Sequence, residues 1–107
     1  MSDADYGRSA EAAIRVGGLA GSNIRSGPRS ERAYLDRLRG PEGQRLTYER
    51  LGSCCTFPTE NSPLGSGRLD IYEVRYEGID EPVQLYLNMY DPADATLRAP
   101  AGFVLAE

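Results

Sequence analysis

The stretch from Leu69 to Tyr90 constrains the fold most. Two runs, Leu69 to Tyr76 and Val83 to Tyr90, flank the segment Glu77-Gly78-Ile79-Asp80-Glu81-Pro82, which carries turn-forming residues. In the second run Val83, Leu85, Leu87 and Met89 alternate with Gln84, Tyr86, Asn88 and Tyr90. A sheet can bury a pattern of period two on one face and a helix cannot. The segment therefore reads as a β-hairpin whose Val83-to-Met89 face is core. In the first run Tyr72, Val74 and Tyr76 share one face, while Leu69 and Ile71 stand on the other with Glu73 and Arg75. Cover on both faces is expected there.

The rest of the chain supplies partners for this hairpin. Ala13 to Val16 reads as a short strand, and Gly17 to Pro28 as a loop carrying Arg25 and Arg29. A helix is predicted over Glu31 to Arg39, with Ser30 as N-cap and Gly40-Pro41 as its stop. Tyr34, Leu35 and Leu38 form its apolar stripe, and Arg32 and Asp36 stand one turn apart. Arg45 to Leu51 alternates like a strand that ends or bulges at Gly52, and residues 57–67 read as a surface loop. Phe103 to Leu105 could add a last edge strand. The expectation is an α+β fold, a mainly antiparallel sheet of three to five strands with one helix packed on a face. Residues 1–12, polar and small, are expected as a flexible N-terminal arm, and residues 13–107 as a single domain.

Absences narrow the chemistry. The chain has no His, and all 12 of its Lys and Arg residues are Arg. That excludes Ser-His-Asp and Cys-His nucleophile pairs, imidazole metal ligands, Schiff-base lysines and a P-loop lysine. Acid-base work would fall to carboxylates, Tyr or the two Cys. No carboxylate pair stands out from the sequence, since Asp70 and Glu73 face opposite sides of a strand. Asp91 and Asp94 lack the spacing and central Gly of a calcium loop. No enzyme activity, no metal and no cofactor is therefore expected. The net charge of -4 argues against nucleic acid as a partner. No apolar run is long enough to span a bilayer. The first thirty residues lack a signal peptide, yet Met1 to Asp5 is also what remains when one is trimmed away. Periplasm or envelope and cytoplasm both stay open.

Cys54 and Cys55 are adjacent, inside Gly52-Ser53-Cys54-Cys55-Thr56-Phe57, and three readings compete. One Cys could fill the core as a small hydrophobe with its neighbour incidental. The two could form a strained, redox-labile disulfide. They could instead act as thiolates or metal ligands, helped by Arg50. A second candidate is the face of the hairpin that carries Tyr86, Asn88 and Tyr90. Tyr and Arg are enriched in binding hot spots, so this stripe is a binding candidate, together with Arg29 and Arg32 near the helix start. The competing reading is that the helix, with Tyr34, covers it.

Several segments carry a resemblance: Tyr6-Gly7, Arg15-Val16-Gly17-Gly18, Glu31-Arg32-Ala33-Tyr34-Leu35 with Leu38-Arg39-Gly40-Pro41, Gly52-Ser53-Cys54-Cys55 with Phe57, Leu69-Asp70-Ile71-Tyr72-Glu73-Val74, and Leu85-Tyr86-Leu87-Asn88-Met89-Tyr90. In these the chain resembles a family of small bacterial proteins with no assigned activity, many of them lipoprotein-like. The Gly-Ser-Cys-Cys block is the most specific of these segments. The resemblance implies export or membrane tethering in some members, which would put Cys54 and Cys55 in an oxidising compartment. It implies no reaction. The functional expectation is a non-catalytic binding or envelope-associated accessory module whose candidate partner is a protein, in an oligomeric state left open. The alternatives are a thiol-dependent redox or metal-handling protein using Cys54 and Cys55, and an immunity or inhibitor protein that masks a basic surface.

Overall fold

The structure is a computed structural model and describes residues 3–21 and 24–106. Strands β1 (Ile14–Gly17), β3 (Thr47–Pro58), β4 (Ser66–Arg75) and β5 (Val83–Pro92) form one sheet in the order β1-β5-β4-β3. The pairs β3/β4 and β4/β5 are antiparallel, and β1 joins the edge of β5 in parallel. Strands β2 (Leu38–Arg39) and β6 (Val104–Leu105) make a separate two-stranded ladder. One helix, α1 (Gly27–Leu35), completes the α+β fold. The hairpin predicted at residues 69–90 is the β4/β5 pair, with Tyr72 opposite Leu85 and Asp70 opposite Leu87. No helix among the described residues is long and apolar enough to cross a membrane.

The helix begins four residues before its predicted start. Pro28 occupies its first turn, where a missing N–H costs nothing and the fixed φ suits a helix. Ser30 is consequently inside the helix and fully buried, its Oγ accepting from the Ala20 amide at 2.9 Å. The C-terminal end comes early because Leu38 and Arg39 leave to pair with β6. Arg39 Nη1 donates to the Asp36 carbonyl at 2.7 Å, a cation on the negative end of the helix. Val104 and Leu105 thus extend this small ladder and not the edge of the main sheet.

Strand β3 is the longest departure from expectation. It runs through Gly52 and both cysteines to Pro58. Its register slips against β4 between Arg50 and Gly52 and again between Cys54 and Phe57. Each slip is a bulge that lets the strand curve without ending. The loop expected over residues 57–67 is therefore shorter, and Asp91 ties it to β5. Its carboxylate accepts from Thr59 Oγ1 at 2.6 Å, Asn61 Nδ2 at 3.0 Å and Asn88 Nδ2 at 2.8 Å.

Both faces of the sheet are covered. On one, Ile14, Val16, Val74, Leu85 and Leu87 meet Tyr34, Leu35 and Leu38, all with no exposed surface. Each aliphatic side chain buried this way contributes roughly 1.5–3 kcal/mol of transfer free energy. On the other face Leu69 is also buried and lines a cavity together with Tyr6 and Ala10 to Ala13. The described part of the expected arm, residues 3–12, is in fact docked. Tyr6 is buried in the core, Gly7 donates to the Ala12 carbonyl and Tyr86 N donates to the Gly7 carbonyl. Burial of the Tyr6 ring, with Arg98 stacked 4.1 Å from its centroid, holds the segment down. Residues 1 and 2 lie outside the described residues.

Candidate functional site

The second bulge of β3 determines what the cysteines can do. Cys54 stays in the ladder opposite Leu69, while Cys55 turns out of it with φ of 64° and is exposed. The two sulfurs are joined in a disulfide between neighbours, with Cα atoms 3.7 Å apart. Neither cysteine is buried and neither is a free thiol, so neither acts as a small core hydrophobe. In this state no thiolate is available as nucleophile or metal ligand. A residue other than Gly in the left-handed region costs about 1–2 kcal/mol, and bulges commonly re-aim side chains beside functional sites.

What Cys55 is aimed at is a cavity of about 700 Å³ on the helix-free face. Phe57 and Leu69 form its floor with Asn88, the docked segment Ala10 to Ala13 one wall, and Arg15 and Arg98 its polar rim. The charged lining residues are Glu11 and Asp94 against Arg15 and Arg98. Arg15 pairs with Asp94, and Arg98 lies over Tyr6. Asn88 Oδ1 accepts from the Tyr90 and Asp91 amides at 2.9 and 3.1 Å, and its amide nitrogen gives one hydrogen to Asp91. One amide hydrogen of Asn88 remains for a ligand.

A second hollow, of about 410 Å³, opens beside the first turn of α1. Arg32, Arg50 and Arg68 surround it, with Glu31, Asp70 and the rings of Tyr72 and Tyr90. Glu31 has no exposed surface. Tyr72 donates its hydroxyl to Oε1 at 3.1 Å, and Oε2 has no partner. Glu31 is pushed up to about 9, first by burial and then by the adjacent Asp70 carboxylate, against the lowering pull of Tyr72 and Arg50. At neutral pH it is a carboxylic acid. Because Oε1 accepts from Tyr72, the proton belongs on Oε2. Arg50 pairs with Asp70 at 2.9 Å. Burial also pushes the Tyr72 hydroxyl up, with Glu31 adding to it.

The residues singled out in the sequence are thereby divided. Asn88 and Cys55 meet at the larger cavity, and Arg32 and Tyr90 at the smaller. The Tyr86, Asn88 and Tyr90 stripe is not one open surface, since Asn88 is buried and the Tyr90 ring lies across Gly67 and against Phe57. Tyr34 does not cover it; its hydroxyl donates to the Arg98 carbonyl at 2.5 Å. Arg29 is exposed, reaches Ser26 Oγ at 3.4 Å and lines neither hollow. Asp36 accepts from the Tyr48 hydroxyl at 2.8 Å. Sequence reasoning missed the Glu31/Asp70 pair because it placed Glu31 at the start of a helix that begins at Gly27. The signal that could have found it is the Tyr34, Leu35 and Leu38 stripe, since Glu31 sits one turn before Leu35 on the same side. Comparison with family models, with curated proteins and with solved structures finds no match.

Two outcomes follow from this geometry. A native carboxyl raised above its unfolded value holds a proton that the unfolded chain releases, so stability falls as pH rises from about 4.5 toward 9, by up to about 1.4 kcal/mol per pH unit. Asp91 behaves oppositely. Burial raises it, but hydrogen bonds from Thr59, Asn88 and Asn61 outweigh that and hold it below the ordinary range, so its contribution is lost in acid. Urea unfolding across pH should therefore peak on the acid side of neutral, with Glu31→Gln flattening the alkaline limb. An alkaline limb unchanged in that variant contradicts the assignment. Second, with Cys54→Ser removing the disulfide, Cys55→Gly should be more stable than Cys55→Ala by about 1 kcal/mol, because only Gly takes a positive φ freely. Equal midpoints would mean that the bulge relaxes once the bond is gone.

Proposed function

We propose that the protein is a non-catalytic binding module that takes a small uncharged ligand with an apolar face into the cavity beside the disulfide. The observation that carries this reading is the bulge that sets the Cys54–Cys55 ring into the wall of a hollow floored by Phe57 and Leu69. A cavity of this volume is in the range of small-molecule sites, which are mostly apolar with a few fixed polar groups. The lining acids Glu11 and Asp94 balance Arg15 and Arg98, so the hollow carries no net formal charge to attract an ion. The spare Asn88 hydrogen would orient a ligand carbonyl or hydroxyl. Two fused sulfurs in an eight-membered ring present a rigid, polarizable surface on which a flat ring can lie.

A second reading, thiol-based redox function, is favoured by the exposure of Cys55 at that same wall. Reduction by a dithiol would break the S–S bond, place a hydrogen on each sulfur and leave the donor as a disulfide. It would also free Cys55 to leave the left-handed region and so reshape the cavity.

The test is a fragment screen by amide NMR using uncharged aromatic and sugar-like probes. Shifts should cluster at residues 10–13, 55–57 and 88. Thr56→Trp, which fills the hollow from its rim, should abolish them with the fold intact by circular dichroism, and reduction should weaken them several-fold. Hits that map elsewhere, or that survive Thr56→Trp unchanged, contradict the binding reading. A disulfide that resists glutathione at its physiological poise contradicts the redox reading.

A further inference from the structure

The hollow beside α1 differs from the disulfide cavity in one respect, its charge. Among its lining residues Arg32, Arg50 and Arg68 supply three positive charges, and the acidic residues are Glu31 and Asp70 alone. Arg50 is committed to Asp70. Arg68 makes only a 3.4 Å contact with the Ser53 carbonyl. Glu31 is neutral, so two guanidinium charges are left over in a concave site. At the bottom stands Glu31 Oε2, fully buried and without a partner. Buried polar atoms are nearly always satisfied, and the acceptor inside the fold that stands beside this oxygen is the Asp70 carboxylate, so an entering oxyanion would compete with Asp70 for its hydrogen. Tyr72, Tyr90 and Met89 supply apolar and aromatic wall. Gly67 lets the Tyr90 ring lie close, since a Cβ there would come within 2.5 Å of Tyr90 Cε1.

From this arrangement we infer a second binding site, for the oxyanion group of a small aromatic acid, held by the guanidinium groups of Arg32 and Arg68 with the Glu31 carboxyl as hydrogen-bond donor. Guanidinium groups match the planar fork of a carboxylate or the oxygens of a phosphate and bind either through paired N–H donors. A carboxylic acid kept neutral by its surroundings donates to an anion where a carboxylate would repel it. The groups that face Glu31 are Asp70 and Tyr72 from β4 and Arg50 from β3. Of these Arg50 is paired with Asp70, and burial pushes the Tyr72 hydroxyl up. The protonation of Glu31 therefore switches the site between accepting and repelling an anion.

Isothermal titration calorimetry on the whole chain would use benzoate, phenyl phosphate and inorganic phosphate, with phenol as the uncharged control. Benzoate and phenyl phosphate should bind and phenol should not. Preference between benzoate and phenyl phosphate identifies the oxyanion, and binding of inorganic phosphate alone overturns the aromatic part of the inference. Arg68→Ala and Arg32→Ala, both at exposed positions, should each weaken binding by about ten-fold, the loss of one charge-assisted contact. Benzoate affinity should fall between about pH 7.5 and 9.5 as Glu31 ionises, and Glu31→Gln, which keeps a buried N–H donor, should bind at neutral pH and lose that fall. No binding by either aromatic acid, binding indifferent to both arginine changes, or the same pH fall in Glu31→Gln would overturn the proposal.

Discussion

A carboxyl group deprived of water must keep its proton or be met by a cation, and the fold places Glu31 where the first option holds. It rises from α1 into the sheet face, takes the Tyr72 hydroxyl on one oxygen and stands beside Asp70. The helix is short, nine residues, and a helix of that length depends on tertiary contacts for its existence. Its apolar stripe of Tyr34, Leu35 and, just beyond it, Leu38 supplies the transfer energy. The stripe packs on β1 and β5, and the Glu31–Tyr72 bond adds a tie to β4. Once helix and sheet are set by these contacts, the hollow with its three arginines follows, since Arg32 lies next to Glu31 in the chain and Arg50 reaches Asp70 across the β3/β4 ladder.

The opposite face is organised by a backbone device. The extra residue at Cys55 turns that side chain out of the ladder, closes the ring with Cys54, and leaves Phe57 back in register against Gly67. Because Ala10 to Ala13, Leu69 and Cys55 line one cavity, the ring becomes part of a wall and not a surface ornament. The two faces thus carry different chemistry. One hollow has its charges paired and sulfur at its lip, and the other has surplus guanidinium groups over a neutral acid.

Much of the fold was legible in the sequence where local pattern and tertiary burial agree. The alternation from Val83 to Tyr90 gave β5, and Leu85 and Leu87 are buried as that period requires. Leu69, set on the opposite side from Tyr72, correctly signalled a sheet covered twice. The failures occur where a local signal was overridden by a distant partner. Gly52 reads as a strand end or a bulge, and the bulge is what forms, with the β4 ladder carrying β3 on to Pro58. Leu38 and Arg39 read as helix, but β6, more than sixty residues later, recruits them. Residues 3–12 read as loose because small and polar residues carry no period, yet the Tyr6 ring alone brings the segment into the core. The candidate site was legible only in pieces. Cys54 and Cys55 stood out as neighbours, but their bond and their cavity depend on a register slip that composition does not encode. Glu31 stayed hidden because a charged residue beside a helix start normally faces solvent.

The account rests on Glu31 being an uncharged acid in the folded protein at neutral pH. Its side-chain carboxyl carbon, followed by NMR in uniformly ¹³C-labelled protein and assigned with Glu31→Gln, measures this directly. The account predicts a titration midpoint near 9. A midpoint in the ordinary glutamate range, near 4.5, would mean that the carboxylate is charged where it lies, and would contradict both the alkaline loss of stability and the donor role assigned to it.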